Sequence, residues 1–364
     1  MKLLCLLVCT LTLGLVAATS AQTVSNPINT PAGTLAAKPS VVPPDINLPE
    51  ADTLIYINAK RILNEAVPRF VPPVEVAKLR KEFDNLEQSM GVDPAQIDYV
   101  IVAARLRKPS AELNFIPPEF MLVAGGDFGA EALAGFAQIL LGDSAREESY
   151  GEKNLTLFRI DPIAKEAEKL DFLKSFAEMA VVALSPSKIG IGTPEYLKAA
   201  IDAAQGQGRI TQEALNSLMR DPDVLLSVVG LPLNSFAKSF GLLGVEGEMG
   251  SANCTSSFGN FYAAVTMDQS HFKLRAAMNA DNANTAKIIS GLLQQALNAI
   301  TDKSIVSNVA MNAEGHEVQL QADLSQQALI KFITEQMKPS EPKAATKPAA
   351  KAPVKRRTPR RRRG

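Results

Sequence analysis

The sequence has no tryptophan, only two histidines and only three cysteines, and aromatic residues make up 5% of it. Each scarcity excludes something. With His271 and His316 as the only imidazoles, patterns such as H-E-x-x-H cannot be written, and there is no paired C-x-x-C for zinc. No G-x-x-x-x-G-K-[ST] loop is present, so a P-loop nucleotide site is excluded as well. No apolar run reaches the roughly 20 residues that a membrane-spanning helix needs. With 46% apolar and 21% charged residues, the chain is neither disordered throughout nor a polytopic membrane protein.

The longest apolar run is at the amino terminus. Lys2 is followed by Leu3 to Val16 and then by the small residues Ala17-Ala18-Thr19-Ser20-Ala21, the three-part pattern of a secretory signal peptide. Residues 1–21 are therefore expected to be a leader, cleaved after Ala21 or after Ser20. Export would remove Cys5 and Cys9 and leave Cys254 alone, either buried as a thiol or paired between chains. A chain of 364 residues can rely on its core without disulfides. Residues 22–50, with Pro27, Pro31, Pro39, Pro43, Pro44 and Pro49, read as an extended linker.

The net charge of zero conceals a strong asymmetry. Residues 338–364 hold 11 of the 38 basic residues and one acidic residue, Glu341. The body, with Lys2 set aside, is left with 26 basic against 37 acidic residues. The tail ends in Lys355, Arg356, Arg357, Arg360, Arg361, Arg362 and Arg363. Proline and like charge both oppose helix, so a disordered basic tail is expected, one that binds polyanions with steep salt dependence. Behind a signal peptide the partners would be an anionic envelope surface or polymer: lipid, lipopolysaccharide, cell-wall polymer or extracellular DNA. The tail has no aromatic residue to stack on bases, so specific nucleic-acid readout is not expected. The other readings of the tail are a solubilising appendage or a segment folded back on the acidic body.

Between linker and tail the periodicities alternate. Strand patterns cover Thr53–Asn58, Ile97–Arg105, Phe120–Gly125, Leu155–Ile160, Met179–Leu184 and Lys188–Gly192. Helical spacing covers Glu75–Met90 (Val76, Leu79, Phe83, Leu86, Met90), Ala130–Leu141 and Pro194–Ala204. Gly91 and Pro94 follow the first of these helices where a C-cap and a stop belong.

The order then replays. Asp223–Val229 echoes Asp52–Asn58, short helices follow at Leu233–Ser239 and Lys60–Ala66, and strands at Asn260–Met267 and Phe272–Met278 precede a helix near Asn284–Ile300. Strands Ile305–Met311 and Glu317–Ala322 and a helix at Gln326–Gln336 close the body. The expectation is an α+β fold of mainly antiparallel sheets with helices packed on one face and an internal duplication: half one 51–208, half two 209–337, tail 338–364.

Chemistry-bearing patterns are few. Gly125-Gly126-Asp127-Phe128-Gly129 sits between strand and helix, where amides can hold an anion, but it lacks a lysine and the G-x-G-x-x-G spacing and reads as a tight turn. Asp281-Asn282-Ala283-Asn284 resembles a calcium run but reads as a helix cap. Gly142-Asp143-Ser144 with Asp268 and His271 is similar to the nucleophile and dyad of a family of secreted serine esterases, in the wrong order of elements. No cofactor, metal site or catalytic group is expected.

The stretch Asp52-Thr-Leu-Ile-Tyr-Ile and the segment Ala183-Leu-Ser-Pro-Ser-Lys-Ile-Gly-Ile-Gly-Thr-Pro-Glu-Tyr-Leu-Lys-Ala-Ala-Ile201 resemble secreted bacterial proteins of unknown function. Their repeats begin with P-x-D-T-x-hydrophobic strands and carry I-G-x-G-x-P-E-x-L-x-x-A-I at a strand-to-helix passage. The resemblance spans about residues 48–337. It implies an exported envelope protein, periplasmic or secreted and not an enzyme, and brings no site residues. A carrier of lipid or another hydrophobic ligand is the alternative.

Overall fold

The computed structural model describes residues 22–23, 46–91, 93–106, 118–160, 176–221, 223–230, 258–267, 271–300 and 306–325. The leader, most of the linker, the helices expected at Leu233–Ser239 and Gln326–Gln336, Asp268, Cys254 and the basic tail lie outside them.

The strands are β1 (Thr53–Ile57), β2 (Ile97–Arg105), β3 (Glu119–Gly126), β4 (Ala145–Tyr150), β5 (Lys153–Arg159) and β6 (Glu178–Ser185). After them come β7 (Lys188–Gly192), β8 (Val224–Gly230), β9 (Phe258–Met267), β10 (Phe272–Ala280), β11 (Val306–Glu314) and β12 (Glu317–Leu324). They form one 12-stranded sheet in the order β11-β12-β10-β9-β8-β1-β2-β3-β7-β6-β5-β4. Every pairing in it is antiparallel.

The sheet is joined at its middle by β1 and β8, from Thr53 opposite Gly230 to Ile57 opposite Leu226. Outward from that seam the two sides match. β1, β2, β3, β7, β6 on one side answer to β8, β9, β10, β12, β11 on the other, and a helix follows the third strand in each. The first side carries in addition the hairpin β4–β5 on the outer edge of β6.

The helices are α1 (residues 59–70, a π-turn at Ile62–Ala66), α2 (Pro73–Met90), α3 (Ala130–Leu141), α4 (Pro194–Ala204), α5 (Gln212–Leu218) and α6 (Ala283–Asn298). Their ends follow local chemistry. Gly91 closes α2 at φ 66°, Thr211 Oγ1 accepts from Ala214 N–H at the start of α5, and Asn282 Oδ1 accepts from Thr285 N–H at the start of α6.

The helices lie on both faces of the sheet, not on one as expected. Leu54, Tyr56, Ala180 and Val182 join α4 and α5 through Leu197, Ala200, Leu215 and Leu218. The alternate residues Ile55, Ile57, Met179 and Val181 join α1 and α3 through Ile62, Phe70, Ala134 and Ala137. All five residues of β1 are buried, which is why its sequence is an unbroken apolar run and not an alternation.

The end of the linker is laid onto this body. Ile46 and Leu48 are buried, Glu50 N–H donates to Gly208 O, and Ile210 N–H donates to Leu48 O. Further upstream, Gln22–Thr23 pair with Ala299–Ile300 just past α6.

The glycines of the Ile189-Gly-Ile-Gly192 motif are packing requirements. A Cβ on Gly192 would stand 2.3 Å from Phe120 O, at the point where β7 crosses β3 to enter α4. Gly192→Ala is expected to cost about 2 kcal/mol or more by overpacking. Gly91→Ala, with open space around it but φ 66°, should cost only about 1 kcal/mol. Urea unfolding midpoints of the two variants check the ranking.

Candidate functional site

The chemistry-bearing patterns of the sequence resolve into structural roles wherever they fall among the described residues. Gly126 N–H donates to Ser187 O, Asp127 N–H to Gln96 O and Ala130 N–H to Pro186 O. These amides, which an anion would need, are therefore spent inside the chain. A Cβ on Gly126 would sit 2.1 Å from Gln96 O, so the glycine serves a close backbone approach. Asn282 caps α6 through its side chain and its carbonyl, which accepts from Ala286 N–H. Among the described residues, no group of three His, Cys, Asp or Glu is placed to hold a metal.

The esterase pairing fails on distance. Ser144 leads into β4 at one end of the sheet, and His271 leads into β10, nine strand steps away in the sheet order. At about 4.8 Å per step that is on the order of 40 Å of ladder. A serine and its base must come within about 3 Å.

The structure also assembles groups that the sequence reading did not bring together. A cleft of about 310 Å³ opens at the β4 end of the sheet, floored by Leu157 and Phe176. Its charged walls are Glu119, Arg146, Glu148, Glu178, Glu195 and Lys198. Arg146 grips Glu178 with two bonds, Nε to Oε1 at 3.1 Å and Nη2 to Oε2 at 2.9 Å, and reaches Glu148 at 3.4 Å. Lys198 Nζ lies 2.7 Å from the other oxygen of Glu148 and 3.1 Å from Glu195. Glu119, buried, is held by Arg105, whose guanidinium lies over the Tyr196 ring at 5.1 Å.

The network sets its own protonation. The hydrogen bond from Lys198 holds Glu148 below the usual carboxylate range, and the same bond raises Lys198. Both cations are thus engaged by carboxylates. Such a wall is not the apolar cavity that a hydrophobic-ligand carrier requires.

A second cluster lies in the other half. Asp221, 7% exposed, accepts from Tyr262 Oη at 2.6 Å and from an Arg275 Nη, while Arg220 stacks over the Tyr262 ring at 5.6 Å. Arg220 also reaches Glu317 at 3.3 Å. Strands β8, β9, β10 and β12 are tied together here. Arg275 Nε is buried without a partner.

Only long-range pairing creates these clusters. Arg146 to Lys198 spans 52 positions and Asp221 to Arg275 spans 54, so no local motif announces either. The outlying signal was Ala145-Arg-Glu-Glu-Ser-Tyr150, a polar stretch that β4 forms against expectation.

No protein-family model matches the chain, and no curated protein matches its sequence. Among solved structures it is similar to three crystal forms of TP0453. Form III gives a TM-score of 0.41 at 11% identity, over 79% of this chain and 96% of that one. Form IV gives 0.37 at 12%, over 79% and 94%, and form I gives 0.39 at 10%, over 83% and 98%. At this level of likeness no residue role passes from one chain to the other. No helix among the described residues is long and apolar enough to cross a membrane.

Three outcomes follow from this geometry. Asp221→Ala strands Arg275 and the Tyr262 hydroxyl and should cost about 3 kcal/mol in urea unfolding, the range for breaking a buried pair. Arg146→Ala, in a solvated network, should leave the midpoint nearly unmoved. Burial raises the phenols of Tyr56, to about 12, and of Tyr196 and Tyr262; for Tyr56 the neighbouring Tyr99 adds to it and for Tyr262 the bond to Asp221 does. Each unfolded phenol ionises near 10.0, so the unfolded chain sheds these protons first. Stability is full below that pH and falls as pH rises above it. Tyr262→Phe should flatten the decline in a pH series of melting temperatures.

Proposed function

We propose that this is an exported, non-enzymatic protein of the bacterial envelope that binds a partner or ligand through its α+β body and anchors to an anionic surface through its tail. The observation that carries the reading is the segregation of charge. Eleven of 38 basic residues stand in the last 27 positions, against an acidic body and behind a leader-like amino terminus. Such a tail gains about 1 kcal/mol per cation near an anionic lipid surface, within a Debye length.

The body supports a binding role more than a chemical one. Its charged groups are locked to one another across the sheet, at Arg146–Glu178, Lys198–Glu148 and Arg275–Asp221. The groups that resembled a nucleophile and its base, Ser144 and His271, belong to opposite halves.

The test compares the exported chain with a version stopped at Met337, for binding to isolated envelope fractions and to vesicles with and without anionic lipid. The full chain should bind the anionic preparations and lose at least tenfold in affinity over roughly a fourfold rise in salt. The truncated chain should not bind them. Equal binding by both chains, or by neither, removes surface attachment from the reading.

A further inference from the structure

The two edges of the sheet differ in a way that the internal repeat makes legible. β6 and β11 occupy the same place in their halves, second strand outward from the third, each entering a hairpin that returns to the sheet. β6 is paired on its outer side by β5, with Leu155 opposite Val182 through Arg159 opposite Glu178. Among the described residues nothing pairs with the outer side of β11. The first half therefore shows that this position accepts a further antiparallel strand, and among the described residues the second half supplies none.

The edges are also guarded differently. β4 presents Arg146, Glu147 and Glu148, the first and last of them bound into the ion-pair network, and a copy of itself laid antiparallel would set Glu147 against Glu148. Charge on an edge strand opposes strand addition, and like charges directly opposite are unfavourable. β11 has no charge from Val306 to Ala313. Its one guard is the irregularity between Ser307 and Ala310, where Asn308 takes φ 49°. From Ala310 to Glu314 the ladder with β12 is regular.

Apolar surface also reaches that edge. Among the described residues the buried cluster beneath α6 holds Ala280, Ala286, Ile289 and Val318, with Met311 and Ala313 of β11 half-buried at its margin. Ile288 of α6 and Val309 of β11 are exposed, at 57% and 38%.

We propose that residues 310–314 of β11 pair antiparallel with the same residues of a second copy, joining two sheets into one across a twofold axis. In the symmetric register Asn312 meets its own counterpart, Met311 meets Ala313 of the second copy, and Glu314 lies beside Ala310. No like charges oppose one another. The two margins of Met311 and Ala313 then face each other on the α6 side, so each covers the half-buried apolar surface of the other. The interface is isologous, and it closes at two copies and does not propagate. A dimer also carries two basic tails, which raises avidity for a polyanionic surface without any new contact to it.

The test is sedimentation velocity of the exported full chain over about a hundredfold range of concentration, in high salt and with no polyanion present, so that it is independent of the tail. The expected result is a monomer–dimer equilibrium that the double variant Ala310→Lys/Asn312→Lys shifts at least tenfold toward monomer with its melting temperature unchanged. A chain that stays monomeric throughout overturns the proposal, and so does a dimer that both lysines leave intact. If the variant loses its fold, amide exchange of the unmodified chain decides. Protection in residues 310–314 that rises with concentration supports the pairing, and protection that stays flat overturns it.

Discussion

Everything in this molecule depends on one ladder, the antiparallel pairing of Thr53–Ile57 with Leu226–Gly230. Neither strand has a free edge, because each is flanked on its other side by the strands of its own half, β2 and β9. The seam converts two units of similar connectivity into one continuous sheet. Contacts across it reinforce the ladder. Phe70 of the first half packs on Phe272 of the second, ring centroids 4.2 Å apart, and Asn58 N–H donates to Leu225 O. A residue of the seam thus answers to two cores at once, with Leu54 and Tyr56 on one face and Ile55 and Ile57 on the other.

Burial on both faces explains which parts of the fold can be read from the sequence. Thr53-Leu-Ile-Tyr-Ile and Leu-Leu-Ser-Val-Val are dense β-branched and apolar runs because water reaches neither side of them. The helices Pro73–Met90, Ala130–Leu141 and Pro194–Ala204 are legible because each is long enough to show apolar residues at helical spacing. At the rim the same logic conceals the elements. Ala145–Tyr150 is a strand only because β5 offers it a ladder, and its outward residues stay charged, so its sequence has no β signature. Gln212–Leu218 is a two-turn helix capped by Thr211, too short for periodicity to reveal.

The side-chain networks were illegible for a related reason. A salt bridge across a wide antiparallel sheet joins residues fifty positions apart, and the spacing carries no information until the order of strands is known. Ser144 and His271 show the converse. They made a chemically sound pair on paper, and the strand order separates them by nine steps. The order of elements in the sequence already spoke against that pair, whereas nothing in the spacing pointed to the ion-pair networks.

The distribution of charge links the two ends of the molecule. The sheet places one set of internally compensated charges at the β4 edge, where Arg146 and Lys198 each hold two carboxylates, and another around Asp221 in the other half. The opposite edge, β11, is bare of charge up to Glu314, and the chain leaves the sheet beside it, since Leu324 pairs with Val306. Cations that were spread evenly over such a body would be neutralised by its acidic excess at short range. The proposed anchor depends on the opposite arrangement, eleven cations gathered in residues 338–364 beside a single acidic residue. The acidic body is then the polyanion that an external surface must outcompete, and salt screens both attractions.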